Sequence, residues 1–454
     1  MRKFLFAMIL ALTASVAFAG RTFYVDAEGN DAADGLSPAT AWQTPARAFK
    51  TELGPGDRIL FRAGCRWRMD DTLTVKAQGT EAEPVLVSRY GEGAQPEFLG
   101  SSDGTRPGFW TPAGDGLWTA NVSGKTDVGN IVRVAKGSSP DAPTCGWKRW
   151  RREDLRNEGD YFHDLDASRI WYRSTVEPAS AHDRMELCRR ICLLNVGQTT
   201  WLRVEGLSFL YTGAHGIVGA PVQHLRVRGC TFGWIGGSLL GMWPDGKGGK
   251  RPVRFGNGIE FWTTGRNVDI RLEDNFFYEV YDTAMTNQGN GDGVLERMVV
   301  CSNRTVRCEQ SYEIWFTSTN YLVKSIELFG NRFEDAGYGW SHAQRPDKNA
   351  THLLAYGFKP KVESIFYHDN YFGRTKQCMF WWFEWPAIRH VRLDRNTYVQ
   401  PGVDPESHRG LFRWRDEHAD CQPTWADYRR LTGHDAHSTL LNDKIPDGSG
   451  GLGR

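Results

Sequence analysis

Beyond its first eighteen residues this chain has no apolar run long enough to cross a bilayer. It also lacks an excess of either charge. Lys and Arg total 55 against 54 Asp and Glu, a formal net charge of +1 over 454 residues, with the two signs interspersed. This excludes the basic footprint of a nucleic-acid binder and the patches that hold proteins on acidic membranes. The cysteines lack metal or redox spacing: Cys188 and Cys192, like Cys301 and Cys308, are too far apart for a CxxC pair. Their odd total of nine leaves at least one thiol unpaired in a monomer, the state expected here. Cys230 and Cys301 fall on strands where a buried free thiol is expected ahead of a disulfide.

Glycine and tryptophan are plentiful, at 50 and 18 residues. Glycine suits a fold with many tight corners. Tryptophan at that level serves either as core and corner filling or as exposed platforms for the apolar faces of sugar rings. At the N-terminus, Arg2 and Lys3, the apolar stretch Phe4 to Phe18 and the Ala17-Phe18-Ala19 site read as an export signal over residues 1–19. The mature chain is expected to begin near Gly20, secreted or periplasmic.

The C-terminal half repeats one phrase: a β-rich run, a polar pair, a key residue, then usually an aromatic. RVEGLSF, RVRGCTF, RLEDNFF, VVCSNRT, ELFGNRF, FYHDNYF and RLDRNTY place Leu207, Cys230, Asn275, Asn303, Asn331, Asn370 and Asn396 in register. Asparagine tolerates the left-handed backbone of a sharp corner, and its amide can bond the same residue one coil above and below. The pattern predicts an all-β solenoid, a parallel β-helix. An N-terminal cap helix, loop insertions and a C-terminal cap complete it.

Residues 20–100 read as cap and first coils and 101–190 as an insertion, a small β-subdomain walling one side of a cleft. Regular coils run over 191–400, and 401–454 form a C-terminal cap and tail. The opening phrase, with its Tyr-Val strand, G-x-D-x-x-D-G-L-S-P loop and Trp42, resembles that of secreted right-handed parallel β-helix proteins of the pectate-lyase-like superfamily. The ladder and the closing phrase TWADYRRLTGHDAHS (424–438) carry the same resemblance. It implies a carbohydrate-active protein, and the scaffold hosts lyases, hydrolases, epimerases and esterases. No cofactor is required. Calcium at Asp31, Asp34 and Gly35 is one reading of the acidic loop, and Asx-turns in a cap are the other.

Aligning the strands after each corner on Ile217, Ile259, Met285, Ile314 and Trp340 points those residues inward. Their neighbours Gly216, Gly258, Ala284, Glu260 and Glu313 then point outward, with Asp282 at a strand entry. Carboxylates on one exposed sheet suit glycoside hydrolysis, so Glu313, Glu260 and Asp282 are the acid/base candidates. The competing reading pairs them with Arg and Lys on adjacent coils.

In the insertion at 340–357, His342 and Arg345 are expected to orient substrate. Trp262, Trp315, Trp340, Trp382 and Glu384 are expected to line sugar subsites. The leading function is a glycoside hydrolase acting on a polysaccharide or its fragments. A lyase of uronate polymers using His342, Arg345 and Lys348 is the alternative, although the basic motifs associated with alginate and pectate lyases are absent. A non-catalytic carbohydrate-binding surface protein is the third reading.

Overall fold

The computed structural model describes residues 20–122, 126–382, 390–415 and 419–442. The expected export signal at 1–19 and Glu384 lie outside these residues. The chain winds as a right-handed parallel β-helix with three long sheets, each coil adding one strand to each. One coil shows the order. Gly265–Glu273 belongs to the first sheet, Phe276–Val280 to the second and Thr283–Gly289 to the third.

The asparagine ladder marks the corner between the first and second sheets. Side-chain amide bonds run from Asn275 to Asn303 at 3.0 Å, Asn303 to Asn331 at 3.0 Å, Asn331 to Asn370 at 2.9 Å and Asn370 to Asn396 at 3.1 Å. The left-handed residue at each corner is not the asparagine. It is the residue before it: Asp274, Ser302, Gly330, Asp369 and Arg395 all have φ between 53° and 62°. Asparagine is therefore selected for its paired donor and acceptor, and the tight turn is made one residue earlier. Leu207 and Cys230 precede the stack, and the Cys230 N–H donates to Asn275 Oδ1 at 2.9 Å.

Inside the second sheet an aromatic column runs Phe98, Phe209, Phe232, Phe277 with centroid spacings of 5.5, 5.3 and 4.6 Å. It breaks at Thr305, which pairs between Phe277 and Phe333, and resumes through Phe333, Phe372 and Tyr398. Thr305 instead meets Ser311 at 2.9 Å, and Ser311 lies 3.0 Å from His352 Nδ1. His352 Nε2 donates to the Gly373 carbonyl. Burial pushes the His352 pKa down to about 4, so it stays neutral.

The ends are closed, as a solenoid with open strand edges requires. At the N-terminal end, Thr44 caps the short helix Pro45–Ala48. At the other, Trp425–Thr432 stacks Tyr428 on Phe412 at 4.4 Å. Asp31 and Asp34 hold the opening loop by accepting bonds from Gln43, Thr44, Leu36 and Thr40, so donor hydrogens occupy these carboxylates.

Residues 101–189 form two small sheets outside the helix, with Val128–Ala135 antiparallel to His182–Arg189 and Asp160–Asp164 antiparallel to Arg169–Arg173. Their own core holds Trp110, Ile131, Tyr161, Tyr172 and Leu187. The Gly/Pro/Lys-rich stretch near 241–258 is a hairpin, Ser238–Pro244 against Lys250–Phe255. Cys230 is buried and Cys301 half-buried, both as free thiols.

Candidate active site

Strand pairing in the third sheet differs from the sequence alignment in one useful way. Ile217, Ile259 and Met285 do pair across successive coils, but Met285 is followed by Tyr312, not Ile314. Both Tyr312 and Ile314 point inward, so side-chain parity is kept. Tyr312 is buried with its hydroxyl on Asn287 Oδ1 at 3.0 Å. The shift by two brings Glu260, Thr286 and Glu313 into one outward row. Coils about 4.8 Å apart place the two glutamate backbones roughly 10 Å apart.

Gly216, Gly258 and Ala284 do not face outward as expected. A Cβ at Gly216 would come within 2.7 Å of Phe232, and one at Gly258 within 2.7 Å of Phe277, because the chain has not yet left the corner. Trp340 is not on the strand at all. It opens the helix Trp340–Gln344, and the coil's strand is Thr351–Tyr356.

Glu313 points outward yet is only 3% exposed. Its Oε2 lies 2.8 Å from Thr283 Oγ1, which also lies 2.7 Å from Gln310 Oε1. Gln310 donates its Nε2 to the Asn349 carbonyl, fixing its oxygen towards Thr283. A hydroxyl has one proton and cannot donate to both acceptors. When Glu313 is protonated both contacts are satisfied, Glu313 donating to Thr283 and Thr283 to Gln310; when Glu313 is ionised, Thr283 donates to it instead. Burial first, then the neighbouring charges of Asp282 and Glu260, raise the Glu313 pKa to about 7, against the pull of bonds from Thr283 and Tyr356.

Glu260 is half-buried and accepts from Asn257 Nδ2 at 2.7 Å. Asn257 Oδ1 in turn takes the Thr283 N–H, so one side chain ties the Glu260 coil to the coil between it and Glu313. His215 Nδ1 stands 3.5 Å from Glu260 and accepts the Asn257 N–H, which places its proton on Nε2.

Asp282 sits at the strand entry, gripped by Arg345 Nη1 at 2.7 Å. Burial raises its pKa despite that pairing. Arg345 also bonds the Tyr281 carbonyl and Asp347 Oδ2, and its side chain is 5% exposed. It therefore positions Asp282 and is not open to a substrate group. His342 is likewise engaged, 3.0 Å from Glu309 Oε1, and Lys348 bonds the His342 carbonyl. Glu309, fully buried and absent from the sequence candidates, is the acid around which this insertion folds. Its position after Cys308, outside any strand pattern, left no signal to find it.

Two residues along each strand from the acids lies a second outward row: Trp262, Gln288, Trp315 and Tyr356. The Trp262 and Trp315 rings are 5.5 Å apart and Trp315 and Tyr356 6.1 Å. Trp262 is 37% exposed. This aromatic row flanks the carboxylates, and its faces suit the C–H surfaces of sugars. Trp382, expected among the subsites, is instead 1% exposed in the core, and its neighbour Trp381 takes the outward position beneath Arg413. Trp340 is half-buried, with its indole N–H on the Glu279 carbonyl and its ring between Tyr281 and Arg254.

No family model matches the chain. A 123-residue stretch is 29% identical to the lacto-N-biosidase of Bifidobacterium longum subsp. longum, covering 26% of this chain and 7% of that protein's length. Among solved structures, a glycoside hydrolase aligns with 93% of this chain and 96% of its own at TM-score 0.45 and 11% identity. A pectate lyase aligns with 94% and 79% at TM-score 0.46 and 11% identity. The lacto-N-biosidase of Eubacterium ramulus aligns with 93% and 68% at TM-score 0.39 and 11% identity.

Proposed function

We propose that the protein is an exported glycoside hydrolase acting on a polysaccharide or oligosaccharide, with Glu313 as general acid. The observation that carries this is the Thr283 hydroxyl held between Glu313 and Gln310, an arrangement satisfied when Glu313 carries a proton. A carboxylic acid protonated near neutral pH is what departure of a glycosidic oxygen requires. Glu260, on the same row and oriented by Asn257, is the partner carboxylate, and Asp282 adds the negative charge that keeps Glu313 protonated. Trp262, Trp315 and Tyr356 hold the sugar rings. The 29% identity of one stretch to a lacto-N-biosidase supports the same class of chemistry.

A lyase would need a cation free to neutralise a uronate carboxylate. Arg345 and Lys348 are committed to partners within the insertion, which gives that alternative less support.

Glu313→Gln tests the proposal. Release of reducing ends from a panel of polysaccharides should fall by about 10²–10⁴ while oligosaccharide binding persists. Undiminished turnover by the variant would remove Glu313 from the mechanism. An ultraviolet-absorbing unsaturated product would replace hydrolysis by elimination.

A further inference from the structure

A cavity of about 350 Å³ opens where the 101–189 sheets meet the insertion helix. Its wall carries Trp147, Lys148, Arg149, Trp150, Arg156 and Arg254, with Gln344 at its base. Trp147 and Trp150 are 41% and 37% exposed, with Arg149 and Lys148 against one side of their rings. Gln344 joins the halves of the wall. Its Nε2 donates to the Gly146 carbonyl, and its Oε1 accepts from the Lys148 N–H and Arg254 Nη1.

The charges do not balance. Lys148 is paired with Asp127 at 2.5 Å behind the wall, and Arg149 with Asp160 at 3.0 Å. Asp154, the acid on the rim, pairs with Arg151. Arg254 is 8% exposed, and its bonds go to neutral oxygens, the carbonyls of Gly237 and Gly129 and Gln344 Oε1. Arg156 is exposed and makes no ion pair among the described residues. The lining thus carries four cations, Lys148, Arg149, Arg156 and Arg254, against the single carboxylate of Asp154, and neither Arg156 nor Arg254 is in ion-pair contact with a carboxylate among the described residues.

We propose that this cavity is an accessory subsite for a sugar residue bearing an anionic substituent, a carboxylate or a sulfate. Arginine presents planar paired donors to such groups, and the flanking indoles supply ring-stacking surfaces beside them. The site deepens the hydrolase reading and rests on it for the choice of sugar as ligand. It adjoins the carboxylate cluster through a single element. Gln344 forms its base, the next residue Arg345 grips Asp282, and Arg254 lies over Tyr281. A charged branch or neighbouring unit on the substrate would be read here while a glycosidic bond lies over Glu313.

The test is titration calorimetry on the full-length Glu313→Gln protein with trigalacturonate, a sulfated galactose disaccharide, neutral galactotriose and sodium sulfate. At least one acidic sugar should bind at least about tenfold more tightly than galactotriose, and Arg156→Gln and Trp150→Ala should each weaken it about tenfold. Both altered side chains are exposed, so neither substitution disturbs the fold. Which acidic sugar binds identifies carboxylate or sulfate as the recognised group. The proposal falls if galactotriose binds as well as the acidic sugars, or if both variants keep full affinity. It also falls if sodium sulfate binds as tightly as the sugars and is indifferent to Trp150→Ala, since that describes an ion site. Acidic-sugar binding without turnover by the wild-type protein would remove the hydrolase reading and leave the pocket standing.

Discussion

The Thr283 hydroxyl lies 2.8 Å from Glu313, and this contact, which a protonated Glu313 satisfies together with Gln310, joins two neighbouring coils. The consequence for activity is an alkaline limb. As pH rises through about 7 Glu313 ionises, so kcat should fall with an apparent pKa near that value. A pH–rate profile flat from 6 to 9 would contradict this assignment.

The same group predicts a stability change of definite sign. Its folded pKa, about 7, lies above the ordinary carboxylate value of 4.5. Between those limits the folded state binds more protons than the unfolded one, so stability falls as pH rises. Glu313→Gln removes the penalty. The variant should be more stable than wild type at pH 8 by on the order of 3 kcal/mol, unfolding at a higher temperature, and match it near pH 4. Thermal melts at the two pH values check this.

Arg345 stands among Asp282, Asp347 and Glu309. Arg345→Met leaves buried carboxylates without their cation and should destabilise the protein by about 3–5 kcal/mol. Adding Asp282→Asn should recover part of the loss. Urea midpoints of the single and double variants measure it, and equal midpoints for wild type and Arg345→Met would refute the clamp.

The tryptophans should divide by row. Trp262→Ala and Trp315→Ala should raise KM several-fold with little change in melting temperature, as expected for ring platforms. Trp382→Ala should instead cost about 3–5 kcal/mol of stability, since it empties core volume. Steady-state kinetics and melts on the three proteins separate the outcomes.

Within the ladder, Asn331 Oδ1 accepts from both the backbone N–H and the side chain of Asn303. Asn331→Ala leaves the Asn303 N–H without its partner, while the Asn303 amide keeps the Leu272 and Cys301 carbonyls, and should cost about 1–3 kcal/mol. Asn331→Leu should cost no less, because the loss is of paired donors and acceptors and not of volume. Chemical denaturation of the two variants decides.

The solenoid was legible because its signal is local and repeated: a polar pair and an asparagine at every corner, with period-two strands after it. Parity on those strands was legible for the same reason, and it set Glu260 and Glu313 on one face. Register across coils was not. Tyr312 and Ile314 share one parity, so the phrase itself does not tell which of them follows Met285, and the Asn287 side chain that takes the Tyr312 hydroxyl comes from another coil. The inward turn of Gly258 depends on Phe277 from another sheet. Trp340 left its expected strand because Glu279, sixty-one residues earlier, holds it through a backbone and an indole bond. Such contacts are tertiary and leave no pattern within a phrase.

The spacing of the ladder has one further consequence. Asn331 and Asn370 are 39 residues apart, against 28 for the two steps before them, yet their amides meet at 2.9 Å like the others. The scaffold registers a longer coil as an ordinary one. Since each coil is held chiefly by the coils beside it, loops of new length and chemistry can be exchanged at a corner without retuning the spine. Substrate choice in such a protein can diverge quickly while the supporting stack of amides stays fixed.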